Sequence, residues 1–188
     1  MTGNQACVSV VRRAADEGFS HLRICDLTQR LHVSRSTVYR LARDRQSLFE
    51  VVIGRILQRA EGRALDAAEK AETTPAAITA YLAATAEPLQ AARPAFWRDV
   101  EASPGPRSIL ERHRTISQNG LATLLQDGLS QGAFRPVAPA FVAQVVDAAM
   151  RRLQDPAALD GTGMTCTEAV GEFVGILLRG LATDGAGC

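Results

Sequence analysis

An apolar repeat of period 3 to 4 runs through almost the whole of this chain, and no alternating apolar–polar stretch competes with it. Residues spaced this way share one stripe of a helix, so the repeat predicts an all-α protein. Proline and glycine cut it into pieces. A first helix is expected from about Gln5 to Glu17, with Val8, Val11 and Ala15 inward and Gly18 ending it. Two short helices follow, Ile24–Leu31 and one opening at Ser34. Asp44 reads as the N-cap of a long fourth helix that reaches about Glu72 and carries Phe49, Val52, Ile53, Ile56 and Ala60 on one stripe. Prolines, tolerated in a first helical turn, open the next four. Pro75 starts a helix that runs to about Ala91, and Pro94 starts a short one closed by Pro104-Gly105-Pro106. Pro106 opens a helix ending near Gln131-Gly132, and Pro139 opens one ended by Pro156. A loop over Asp160–Thr165 precedes the last, about Thr167–Leu181. The expectation is thus about nine helices: a three-helix head over residues 1–45 and a helical bundle over 46–188.

The head is the informative part. Ser34 is a good N-cap for a short helix with Val38 and Leu41 inward and Arg35, Ser36, Tyr39 and Arg40 on the opposite face. Only His32-Val33 separates it from the preceding helix, whose stripe is Ile24, Leu27 and Leu31. Two short helices joined by a tight turn, the second with a basic outer face, describe a helix-turn-helix that reads double-stranded DNA. Arg35, Ser36 and Arg40 are the candidate base readers, since an arginine fork on guanine discriminates by about 1–3 kcal/mol.

The run Gly18-Phe19, Ile24, Leu27, Val33-Ser34, Thr37-Val38-Tyr39-Arg40 and Leu48 resembles the tetracycline-repressor (TetR-type) family of bacterial regulators. The resemblance covers about residues 8–53, with a weaker patch at Gly132-Ala133-Phe134-Arg135-Pro136. The chain departs from the family pattern at His32, where a turn glycine is usual, at Ala42, where an aromatic is common, and at Arg23, where a capping threonine is common. The resemblance implies that Thr37, Tyr39 and Arg45 hold phosphates, assisted by Arg43 and Arg23. It also implies a ligand cavity among the fifth to seventh helices, where Tyr81, Phe96, Trp97 and His113 are the candidate lining; the alternative is that the aromatics are core and His113 a surface or satisfied histidine. Packing of the last two helices of two subunits would make a homodimer. The candidate interface is Val145, Val146 and Ala149 with Val170, Gly171, Phe173, Val174, Gly175 and Leu177. Glycine within a helix costs roughly 1 kcal/mol against alanine. Gly171 and Gly175, four residues apart, therefore call for a close neighbour, either another subunit or the chain itself.

Charge agrees with a DNA-facing head. The chain carries 21 Lys+Arg against 20 Asp+Glu, but residues 1–55 hold nine arginines against five acids, leaving the remainder acidic. Cys7, Cys25, Cys166 and Cys188 have neither disulfide-framework nor zinc spacing. Cys25, near the DNA side, reads as a small buried hydrophobe or a redox switch. No run of eighteen apolar residues and no signal-peptide core is visible, so a cytoplasmic protein away from membranes is expected. No nucleophile–base pair, paired carboxylates, phosphate loop or metal cluster is evident, so no enzyme, metal or cofactor is expected.

The sequence therefore predicts a ligand-responsive regulator, a repressor released from a palindromic operator by a small hydrophobic effector. The alternative is an interaction protein whose degenerate helix-turn-helix does not read DNA specifically, with His32 and Ala42 as its best support.

Overall fold

The computed structural model describes residues 19, 36, 39, 42–91, 94–153 and 155–183. Within them lie seven helices: α1 Arg45–Glu69, α2 Thr74–Ala91, α3 Pro94–Ala102, α4 Pro104–Ser130, α5 Pro139–Leu153, α6 Pro156–Leu159 and α7 Cys166–Leu181. No strand occurs among the described residues; one isolated bridge joins Phe134 and Ala182. The helices predicted within residues 1–41 lie outside the described residues, Ser36 and Tyr39 excepted, and both of these are helical.

From Asp44 onward the sequence predicts six helices and the structure has seven. The addition is α6. Asp155 caps it by accepting the Ala157 N–H at 3.0 Å, and Pro156 occupies its first turn. Pro156 therefore opens a helix as well as following one. α4 also begins two residues earlier than predicted, at Pro104.

The chain divides into two compact units, residues 1–59 with 91–113 and residues 60–90 with 114–188. In the first unit, the start of α1 is fixed by reciprocal capping. The Ser47 N–H donates to Asp44 Oδ1 at 2.7 Å and the Asp44 N–H donates to Ser47 Oγ at 3.0 Å. These bonds satisfy donors that the first helical turn leaves open. The predicted stripe Phe49, Val52, Ile53 and Ile56 is buried, joined by Leu48 and Leu57. Phe96 and Val100 of α3 and Leu110 of α4 belong to the same unit and are likewise buried. Burying one such side chain contributes roughly 1.5–3 kcal/mol.

The second unit is built with smaller side chains. Ala64 and Ala68 of α1 and Ala77 and Ala86 of α2 join a cluster with Ile78, Tyr81, Leu121, Leu125, Val146, Val170 and Val174. α4 ends in a Schellman motif: Gly132, at φ 69°, donates to the Leu129 carbonyl, and the Ala133 N–H donates to that of Gly128. Phe134 then turns inward over Gly128, where any Cβ would collide with its ring. α7 opens with a capping box. Thr165 Oγ1 accepts the Glu168 N–H at 3.3 Å, and Glu168 Oε2 accepts the Thr165 N–H at 2.8 Å. The Thr165 N–H and the Thr165 hydroxyl, both donating to this carboxylate, hold it below its usual range.

Candidate functional site

Of the candidate DNA readers, Arg35, Thr37 and Arg40 lie outside the described residues, as do Arg23, Cys25 and His32. Ser36 and Tyr39 are both exposed, Tyr39 at 53%. Three residues apart on a helix, they share a face. An aromatic ring with a hydroxyl, left half in water beside a basic segment, offers stacking area and a donor to a phosphate. Ala42, where the family pattern has an aromatic, is itself buried.

Arg45 is engaged within its own unit. Its Nη2 donates to the Phe19 carbonyl at 2.7 Å, and its guanidinium carbon lies 5.3 Å from the Phe19 ring centroid. On the other side, the Phe19 N–H donates to Asp99 Oδ2 of α3 at 2.8 Å. The Phe19 ring stacks on Phe49 with centroids 4.1 Å apart and planes 5° off parallel. Phe49 meets Phe96 edge-on at 5.7 Å, and Phe96 meets Trp97 edge-on at 5.1 Å. Four rings thus form a continuous row through the first unit. Neither the Asp99 contact nor the turning of Arg45 onto Phe19 is visible in the sequence. The Asp99 bond joins residues 80 apart, and no local pattern announces such a pair.

The four candidate ligand residues are not equivalent. Phe96 is fully buried, and Trp97 and His113 are half-buried; all three belong to the first unit. Tyr81 belongs to the second, 3% exposed, and its hydroxyl donates to the Ser117 carbonyl at 3.1 Å. Burial pushes the Tyr81 phenol above its ordinary range.

The candidate interface residues also separate. Val146, Val170 and Val174 point into the core of the second unit, and Ala149 is half-buried. Val145 is 48% exposed, and the same surface holds two more exposed residues absent from the sequence candidates, Phe141 at 66% and Ile176 at 57%. With Phe173 and Leu177 they line an apolar groove of about 440 Å³ between α5 and α7. Gly171 is exposed, and a Cβ there would meet nothing within 4 Å. Gly175 has only the flexible end of Arg179 near it, at 3.4 Å. Packing among the described residues therefore gives no reason for either glycine.

Among the described residues, no helix is long and apolar enough to cross a membrane and no group of three or more potential ligands could hold a metal ion.

No protein-family model matches the sequence, and no curated protein does. Solved structures do match in shape. The TetR-family transcriptional regulator PfmR from Thermus thermophilus superposes with a TM-score of 0.69 at 19% identity, covering 95% of this chain and 100% of that one. The ketosteroid transcriptional regulator KstR2 of Mycobacterium tuberculosis gives 0.61 at 14% identity, over 97% of this chain and 95% of that one. A structure described as that of a transcriptional regulator from Saccharomonospora viridis, in complex with choline, gives 0.78 at 15% identity, over 96% and 97%. Identities this low speak to shape alone, and the shape is shared over nearly the full length: this chain has the TetR-type fold.

Proposed function

We propose that this protein is a DNA-binding transcriptional regulator of the cytoplasm, a binding protein and not an enzyme, which works as a homodimer and is released from a palindromic operator by a small apolar molecule. The observation that carries the reading is the TetR-type fold shared with PfmR over 95% of this chain, and the exposure of Ser36 and Tyr39 agrees with it. Arg35, Ser36 and Arg40 read bases and Thr37 and Tyr39 hold phosphates in this proposal. Arg45 adds its charge to the same end.

The homodimer has its own support. Phe141, Val145 and Ile176 form an exposed apolar surface, and Gly171 leaves its helix open to close approach. A second copy of the chain gives both features a partner, and two heads are what a palindromic operator requires. That a protein of this shape takes a small molecule is supported by the S. viridis structure, which holds choline; choline is a cation, and the apolar character proposed here rests on the aromatic residues of α3 instead. Trp97 and His113, half-buried, are the proposed contacts here, with Phe96 backing the indole.

The test is selection of bound sequences from random DNA, followed by titration of the enriched site at several salt concentrations. A palindromic consensus with a steep salt dependence is the expected result. Binding without sequence preference would favour the interaction protein with a degenerate helix-turn-helix. An effector should change Trp97 emission saturably and release the operator over the same range.

A further inference from the structure

We propose that Asp99 is a positioning residue for DNA binding, which ties α3 directly to the head by holding the backbone of Phe19. The inference rests on the reading of the chain as a DNA-binding regulator. Phe19 is 3% exposed and lies at a bend, so both its N–H and its C=O must find partners away from water. Both partners are charged side chains. The Asp99 carboxylate takes the N–H at 2.8 Å and the Arg45 guanidinium supplies the carbonyl at 2.7 Å. Bonds of this kind, with one ionised member, are stronger than neutral ones. A single residue is gripped from α3 on one side and α1 on the other, and its ring is stacked on Phe49 between them.

The sequence assigns Phe19 to the junction between the first two helices of the head. Fixing its backbone therefore fixes where the head starts relative to α3. Phe96 and Asp99 are three residues apart on α3 and share a face. α3 thus reaches Phe19 twice: through the ring row by way of Phe49, and directly through the Asp99 bond. Trp97, on the same short helix, is in edge contact with Phe96. A displacement of α3 must stretch the Asp99 bond or carry Phe19 with it. Coupling between two binding events is reciprocal. DNA held by the head must then alter the surroundings of Trp97, even with no effector present.

The experiment uses the full-length dimer, operator DNA enriched from random sequence, anisotropy for binding, and the emission of the one tryptophan for α3. In the wild type, Trp97 emission should shift on adding operator with the midpoint seen by anisotropy. Asp99→Ala should bind about 10- to 100-fold more weakly, and at saturating operator its Trp97 shift should fall to well under half of the wild type's, the ring row being the route that remains. Asp99→Asn, which keeps an acceptor oxygen, should stay within about 3-fold of wild type and retain the shift. A merely structural loss would weaken binding without uncoupling emission from occupancy. Should Asp99→Ala fail to fold, Asp99→Ser, too short to reach the Phe19 N–H, must also suppress the shift. An intact Trp97 response at saturating operator in the folded variant, with or without a loss of affinity, would overturn the proposal while leaving the DNA-binding reading in place. A wild type that enriches no sequence would remove that reading, and this inference with it.

Discussion

The two units of this protein hold themselves together in opposite ways. The first relies on a few large groups: a row of four rings from Phe19 to Trp97, ended by a charged grip on one backbone residue. The second sets small residues among aliphatic ones: Ala64, Ala68, Ala77 and Ala86 share the core with Ile78, Leu121 and Leu125, and Gly128 lies under the Phe134 ring. Large rings give each contact a strong preference for one geometry, because edge-on and stacked arrangements are directional. Small residues give tight approach with little directional preference. The unit carrying the proposed DNA-reading segment is thus the one whose geometry depends on individual side chains.

The sharpest way to break this contrast is to delete a ring. Phe96→Ala removes the middle of the row from a site with no exposure and should destabilise the protein by about 3–5 kcal/mol in urea unfolding. A loss below about 1 kcal/mol would mean that the row is not what holds the first unit.

In the second unit the corresponding experiment adds an atom. Gly128→Ala must push the Phe134 ring aside and should cost about 1–3 kcal/mol. Gly171→Ala meets open space, and helix propensity should make the single chain more stable by roughly 0.5–1 kcal/mol. The larger Gly171→Leu should nevertheless shift the proposed dimer toward monomer in light scattering and weaken operator binding. An unchanged dimer would sever this glycine from the proposed interface.

These pairs show what is legible in the sequence. The stripe Phe49 to Ala60 is readable because one helix face faces one core. The same reasoning fails to separate Val145 from Val146. α5 is apolar on more than one side, so periodicity cannot tell the inward valine, 2% exposed, from the outward one at 48%. The Thr165–Glu168 capping box is readable in principle, since the S/T-x-x-E spacing stands in the sequence, yet periodicity alone starts the helix one residue late. α6 escapes the sequence because Pro156, which follows one helix, reads as its terminator and hides the helix it opens. In the candidate site, Tyr39 is identified by pattern, whereas Asp99 belongs to no pattern and becomes visible only through its partner.

Acid offers a subtler comparison between the units. Asp44 in the first and Glu168 in the second are both held below the ordinary carboxylate range, chiefly by the backbone N–H of Ser47 and of Thr165 respectively. Each favours the folded state fully above its unfolded pKa, and that contribution disappears as the pH falls through the lower folded value. Asp44→Asn and Glu168→Gln should therefore each flatten the acid limb of a stability–pH curve, with little change in its shape above about pH 6. A limb as steep as the wild type's in both variants would assign acid sensitivity to other carboxylates.

The smallest effect is expected at Arg63–Glu87, an ion pair 3.0 Å long whose side chains are 49% and 62% exposed. Arg63→Ala should change stability by less than about 0.5 kcal/mol, and by less still in high salt. A larger loss would mean that the alanine-rich unit leans on its surface more than its core implies.

The bridge between Phe134 and Ala182 has a consequence for the end of α7. Helix ends ordinarily fray, since their last carbonyls have no partner within the helix. Here the Arg135 N–H donates to the Leu181 carbonyl at 2.9 Å, and the Arg135 side chain donates to that of Gly180 at 2.6 Å. Unwinding the last turn of α7 must first peel away the segment that follows α4, and with it the buried Phe134 ring. The amides of that turn should then exchange with solvent on the schedule of the core instead of that of a loose terminus. Any fusion placed here must begin beyond Ala182, or it will pull out the stitch that closes the second unit.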